Sequence, residues 1–189
     1  MDSDLIQAVR NREEWAFKQL ITEHQTLVFS VCLSMVKNEE DAEDLAQEVF
    51  IDCFEKIDKF KGDSALSTWL YRMAVNKSLD QIRSQKRKKR WAGVKAVLLG
   101  ADELNHPKDF DHPGVQLENK EHAKTLFEHI DQLADKQKIA FTLSKIKGLS
   151  YSEIADVMET SLSSVESLIF RANSNLRKSL ESYYLSIKD

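Results

Sequence analysis

Apolar residues recur along most of this chain at helical intervals rather than in alternation. Leu5, Ile6, Val9, Phe17, Leu20 and Ile21 predict a helix over 4–22. A second is predicted over about 24–37, with Leu27, Val28, Val31, Cys32 and Met35 on one face. Asn38 is then placed as an N-cap, and the acidic residues after it suit the positive end of a helix. The third helix, about 39–58, is expected to bury Ala42, Leu45, Ala46, Val49, Phe50, Phe54 and Ile57. Lys59 to Ser64 breaks the pattern and reads as a loop, and a fourth helix runs from near Ser67 to about Arg90.

From Trp91 to about Leu117 the pattern weakens. Gly93, Gly100, Pro107, Pro113 and Gly114 stand among Asp102, Glu103, Asp109 and Asp111, the composition of a flexible acidic linker. Within it, Val94–Leu99 is mostly apolar and either extends the preceding helix or packs on the first domain. Periodicity resumes over about 116–131 through Leu117, Ala123, Leu126, Phe127 and Ile130. Asp135 is expected to cap a helix through Lys147 that Gly148 ends. Ser150 and Glu153 fit a capping box, opening a short helix to about Met158. A turn at Glu159–Leu162 leads into a last helix from Ser163 to about Ser182. The fold class expected is all-α: a helical domain over 1–92, a linker over 93–115, and a second helical domain over 116–189 containing a helix-turn-helix.

Composition agrees with this and narrows the function. Only five Gly and two Pro occur in 189 residues, too few turn formers for an all-β chain. No run approaches the roughly 18 apolar residues of a membrane span. The acidic start Met1-Asp2-Ser3-Asp4 is unlike a signal peptide, so the expected compartment is the cytoplasm. Cys32 and Cys53 fall on apolar stripes and read as buried reduced thiols. The five histidines (His24, His106, His112, His122, His129) are scattered, so no zinc site and no cofactor are expected.

The net charge of −4 argues against a protein that coats DNA unaided, but its distribution matters more. Lys86 to Arg90 is an unbroken basic run, while Glu39, Glu40, Asp41, Glu43 and Asp44 form a dense acidic patch. One acidic docking face and one basic DNA face would produce this split; two solvated helix faces would as well.

Two stretches carry candidate chemistry. In the helix-turn-helix, Ile154, Val157, Val165 and Leu168 fill the angle between the helices, and the small Ala155 allows close approach. The start of the second helix would meet base edges through Ser163, Ser164, Glu166, Ser167 and Arg171. The plainer reading is a helical hairpin with a solvated polar face. In Phe60–Arg83, Trp69 and Tyr71 stand beside basic groups and follow a Gly-Asp-Ser loop. Aromatics can stack on unpaired bases and the loop can receive an extruded one; alternatively the rings belong to a bundle core.

Three segments in order tip the balance. Asp41-Ala42-Glu43-Asp44-Leu45-Ala46-Gln47-Glu48-Val49-Phe50 resembles the polymerase-docking helix of extracytoplasmic-function sigma factors. Phe60-Lys61-Gly62, then Ser67 to Arg72, Asn76, Leu79-Asp80 and Arg83 resemble their promoter-melting segment, which reads the −10 element. Leu133–Lys138, Gly148–Tyr151, Glu153-Ile154-Ala155, Val165, Arg171-Ala172 and Leu176 resemble their −35-binding domain.

The resemblance implies roles. Asp41, Asp44, Gln47 and Glu48 would meet the clamp helices of the polymerase's largest subunit. Phe60, Lys61, Gly62, Ser64 and Ser67 would hold a flipped base; Trp69, Arg72, Asn76 and Lys77 would separate strands; Arg83 would contact phosphate. Ser163, Ser164, Glu166, Ser167 and Arg171 would read the −35 element, and the acidic linker would thread the RNA-exit path. The implied partners are the polymerase core (clamp helices and flap), promoter DNA and an anti-sigma factor, with no membrane insertion.

Three positions depart from the family pattern. Glu159 stands where the turn usually has Gly, which puts that turn's left-handed conformation in doubt. Ala134 replaces a common Pro, and Glu166 replaces a commonly basic residue. The rival readings are an autonomous helix-turn-helix regulator and a polymerase-interacting protein that does not bind DNA. An enzyme is not expected, because no phosphate loop, nucleophile elbow or metal cluster occurs.

Overall fold

A computed structural model describes the backbone over residues 2–99 and 120–186 and side chains over 4–91, 125–181 and 183. Eight α-helices occur among the described residues, in two compact units, Met1–Asp109 and Phe110–Asp189. Most of the expected acidic linker, with its RNA-mimicking role, lies outside the described residues. None of the described helices is long and apolar enough to cross a membrane.

The first unit holds α1 (Asp2–Arg10), α2 (Glu14–Val36), α3 (Glu39–Lys56) and α4 (Leu66–Leu99). α2, α3 and α4 pack mutually, and α1 lies against α2. Their shared seam is apolar: Val9, Leu20, Val28, Val31, Cys32, Val49, Cys53, Ile57, Leu70 and Ala74 are all buried. Asn38 caps α3 as expected, accepting from the Asp41 amide at 2.8 Å. α4 passes through the basic run as one helix and continues to Leu99, so Val94–Leu99, placed within the expected linker, extends the preceding helix, one of its two expected alternatives.

The single helix expected over 4–22 is two. α1 ends in a Schellman turn: the Arg12 amide donates to the Val9 carbonyl at 3.0 Å and the Glu13 amide to the Ala8 carbonyl at 3.0 Å. Arg12 takes the left-handed conformation this turn requires, φ 64. The break escapes the hydrophobic pattern because Val9, Ala16 and Leu20 stay buried on both sides of it. The chain does not break near His24, where the sequence reading placed a boundary; α2 continues to Val36.

The second unit holds α5 (Lys120–Asp131), α6 (Asp135–Phe141), α7 (Tyr151–Val157) and α8 (Leu162–Ser186). α8 is its spine, packing on α5, α6 and α7. Ile130, Leu133, Ala172 and Leu176 form a buried cluster flanked by Phe127 and Phe141. Asp135 is not the cap expected of it; Ala134 holds that position, and Asp135 starts the helix, where its charge still faces the positive end. After α6 the chain widens into a π turn, Thr142–Ile146, which Gly148 closes at φ 72.

Burial pushes the Cys32 thiol up to about 11 and the Cys53 thiol up to about 12. Both stay protonated near neutrality, and the thiolate is the reactive form. A chromogenic disulfide reagent at mildly alkaline pH should titrate neither cysteine in the native chain and both after denaturation. Rapid reaction of either in the native chain would contradict the packing of α2 against α3.

Candidate docking and nucleic-acid interfaces

With Ala42, Leu45, Ala46, Val49 and Cys53 turned inward, the helical repeat sends Glu40, Asp44, Gln47 and Ile51 outward on one ridge of α3. Ile51 is 55% exposed at the C-terminal end of this ridge. Glu40 was named in the sequence reading only as part of the acidic patch, and Ile51 was not singled out at all. Their spacing from Asp44 and Gln47 was the available signal.

The expected docking quartet therefore divides. Asp44 and Gln47 are exposed on the ridge, whereas Asp41 and Glu48 are engaged by α4. The Gln85 side-chain amide donates to Asp41 at 3.1 Å, with Gln81 at 3.5 Å. Lys77 reaches Glu48 at 3.1 Å and Asp52 at 3.2 Å, and Lys56 also pairs with Asp52 at 2.7 Å. Partial burial works against both charges, but the pairing outweighs it. Lys77 is held above its ordinary value by Glu48 and Asp52, and Asp52 below its own by Lys56 and Lys77.

On α4, Trp69, Arg72, Asn76 and Arg83 are spaced by three, four and seven residues and share one stripe. Lys77 is turned about 100° from Asn76, which directs it to α3 instead of to that stripe. Ser67, Trp69 and Arg72 are half-buried; Asn76, Arg83 and the basic run Lys86–Arg90 are exposed. Arg83 lies 3.4 Å from Asp80.

The loop ahead of α4 begins at Phe60, which is buried with its ring 5.2 Å from that of Trp69. Lys61, Gly62 and Asp63 are exposed and Ser64 half-buried. Gly62 takes φ 80, a conformation that favours glycine. Trp69 is thus packed on Phe60 but only half-buried.

In the second unit, Ser150 caps α7 with a complete capping box, and two hydrogen bonds from Ser150 hold the Glu153 carboxyl below its ordinary value. α7 ends with Glu159 at φ 50 and the Thr160 amide on the Ala155 carbonyl at 3.0 Å. The left-handed turn thus forms on Glu despite its Cβ. Ile154, Val157, Val165 and Ile169 fill the angle between α7 and α8. Leu168, expected there, is only half-buried, and Ile169 takes its place. α8 starts one residue early, capped by Ser161, which accepts from the Ser164 amide at 3.2 Å. Ser163, Glu166 and Arg171 are exposed; Ser164 and Ser167 are half-buried. Phe170, missed in the sequence reading, is 74% exposed and lies one turn beyond Glu166 and Ser167.

Comparison with known proteins decides the family. Sigma-70 region 2 matches residues 20–88, and sigma-70 region 4 matches residues 126–176. The RNA polymerase sigma-H factor of Pseudomonas aeruginosa is 33% identical over 181 residues, 95% of this chain and 94% of the relative. The ECF RNA polymerase sigma-E factor of Escherichia coli is 34% identical over 172 residues, 90% of each. The chain belongs to the sigma-70 family, among its extracytoplasmic-function members. It is a sigma factor, a protein of transcription initiation.

Solved structures share the fold. The complex of CnrH with the cytosolic domain of CnrY matches with a TM-score of 0.66 at 22% identity, over 94% of this sigma factor and 96% of that chain. The sigma factor RpoE of Bartonella quintana, in complex with the anti-sigma factor NepR, matches with a TM-score of 0.65 at 21% identity, over 87% and 96%.

The Glu48–Lys77 pair is partly exposed, at 58% and 24% of the side chains, so its contribution is screened. A double-mutant cycle with Glu48→Gln and Lys77→Met, read by thermal unfolding, should give a coupling of about 0.5 kcal/mol that fades in high salt. A coupling of zero at low salt would remove Glu48 from the polar ties between α3 and α4.

Proposed function

We propose that this sigma factor divides promoter recognition between its two units. The segment 1–92 docks on the polymerase core and handles the −10 element, 93–115 links, and 116–189 binds the −35 element. The observation that carries this reading is one bundle with two differently charged faces. The α3 ridge offers Asp44, Gln47 and Ile51, and the α4 stripe offers Trp69, Arg72 and Asn76 beside the Phe60 loop.

Carboxylates and an amide beside an exposed apolar residue suit a basic protein surface, for which the clamp helices of the polymerase's largest subunit are the proposed partner. Asp41 and Glu48 support that ridge from its flank and stay within reach of it. On α4, Trp69 would stack on the unpaired strand while Arg72, Arg83 and Lys86–Arg90 follow its phosphates. Phe60, Lys61, Gly62, Ser64 and Ser67 would enclose one extruded base, whose unstacking costs a few kcal/mol. Docking energy offsets that cost, and no covalent step is required of this chain. On α8, Ser163, Ser164, Glu166, Ser167 and Arg171 would face the major groove, with Phe170 adding an apolar contact. The flap is the proposed neighbour of this unit, and an anti-sigma factor the proposed inhibitor, as with the Bartonella relative that is solved bound to one. This work belongs in the cytoplasm, where the chromosome is transcribed.

Purified polymerase core separates the roles. Asp44→Lys should weaken core association about tenfold or more, by placing a cation against a basic partner. Trp69→Ala should keep core affinity near that of the parent chain while lowering strand opening, read by permanganate reactivity of unpaired thymines. The reverse pattern would overturn the assignment of the two faces.

A further inference from the structure

α1 and the turn after it precede the matched region 20–88, and none of the site residues named above lies in them. Yet this segment supplies the contacts that hold the base-capture loop in place. Arg10, in the last turn of α1, donates from Nη2 to the Phe60 carbonyl, 50 residues away in sequence. The Phe60 amide is bound to the Ile57 carbonyl at 3.0 Å, and its ring rests on Trp69. Phe60 is thereby fixed through amide, carbonyl and ring. The next residues, Lys61 to Asp63, are exposed and have no comparable anchor among these contacts.

Arg12 grips the same corner from the turn. Its guanidinium donates to the Phe54 carbonyl, lies 4.5 Å over the Phe54 ring and sits 3.5 Å from Asp58. Phe54 is in the last turn of α3, where carbonyls lack helical partners and a cation is favourable. The left-handed backbone at Arg12 is costly for a residue with a Cβ, and this grip offsets the cost. Two arginines on one turn thus tie down positions 54, 58 and 60, the whole approach to the loop.

The geometry points to α1 and its turn as a brace that pre-sets the base-capture loop, with Arg10 as a positioning residue for promoter opening. It rests on the reading of the Phe60–Ser67 loop proposed above. A loop already fixed at Phe60 loses less freedom when a base enters, so removing the anchor weakens capture without touching DNA or polymerase directly.

The test uses reconstituted holoenzyme and a single-stranded non-template −10 oligonucleotide, intact or abasic at the extruded position. The parent holoenzyme should prefer the intact strand. Arg10→Met should keep core affinity, bind the intact strand about tenfold more weakly, the size of one charge-assisted hydrogen bond, and bind the abasic strand nearly as the parent does. Arg10→Lys, which keeps a cationic donor, should recover part of the loss. Arg12→Ala, a change at an exposed side chain, should show the same strand-selective loss if Arg10→Met does not fold. Gly62→Ala, which strains the loop itself, is the control and should abolish the preference. If Gly62→Ala loses the preference while the Arg10 and Arg12 variants keep it, the brace is refuted and the loop reading stands. If the parent shows no preference for the intact strand, the loop reading fails, and the brace with it.

Discussion

The buried seam between α3 and α4 sets the rotation of both helices, and everything the first unit presents follows from it. Once Leu45, Val49 and Cys53 on one helix and Leu70, Ala74 and Ser78 on the other turn inward, a repeat of about 3.6 residues leaves no freedom in what faces out. Asp44, Gln47 and Ile51 must form one ridge, and Trp69, Arg72 and Asn76 another. Asp41, Glu48 and Asp52 must then face Gln85, Gln81 and Lys77 across the edge of the seam. The polar pairs at that edge are exposed enough to add little stability.

That arrangement explains how an acidic protein can handle DNA. The net charge of −4 opposes phosphate binding by the whole chain. Positive residues nevertheless cluster along α4, from Arg72 to Arg90, and negative ones cluster on α3. A basic partner on the α3 ridge would neutralise the acidic cluster nearest to α4 and leave the basic residues of α4 exposed. Lys77 sits at the junction: it is committed to Glu48 and Asp52, so its charge does not add to the α4 stripe while those carboxylates hold it.

Much of this was legible in the sequence because the signals were local and chemical. The Asn38 cap, the Ser150–Glu153 capping box and the Gly148 stop each depend on a few neighbouring residues, and each is present. What escaped depends on the tertiary environment. The break at 11–13 leaves the apolar repeat in phase, so periodicity cannot register it. The pairing of Lys77 with Glu48 and Asp52 depends on the 100° turn between Asn76 and Lys77 and on how α3 packs, which the resemblance of the segment does not carry. Asp135 was one residue out, because an acidic side chain suits both the cap and the first turn. Phe170 reads as core by composition, and only the packing of Ile169 and Ala172 beside it shows that it faces away.

Three helix ends add a further constraint. Arg12, Lys37 and Glu159 all take positive φ, where glycine would be less strained. At each, the backbone closes the turn with hydrogen bonds to the final carbonyls, so the turn survives the Cβ. Glycine would lower the strain but would also widen the unfolded ensemble and remove a long side chain from a corner. At Arg12 that side chain is the one that caps α3. At Arg12, the strained backbone position thus carries a side chain that performs a task glycine could not. The same logic accounts for Gly62, where no side chain is wanted: a Cβ there would meet open space, so its glycine reflects the backbone conformation alone.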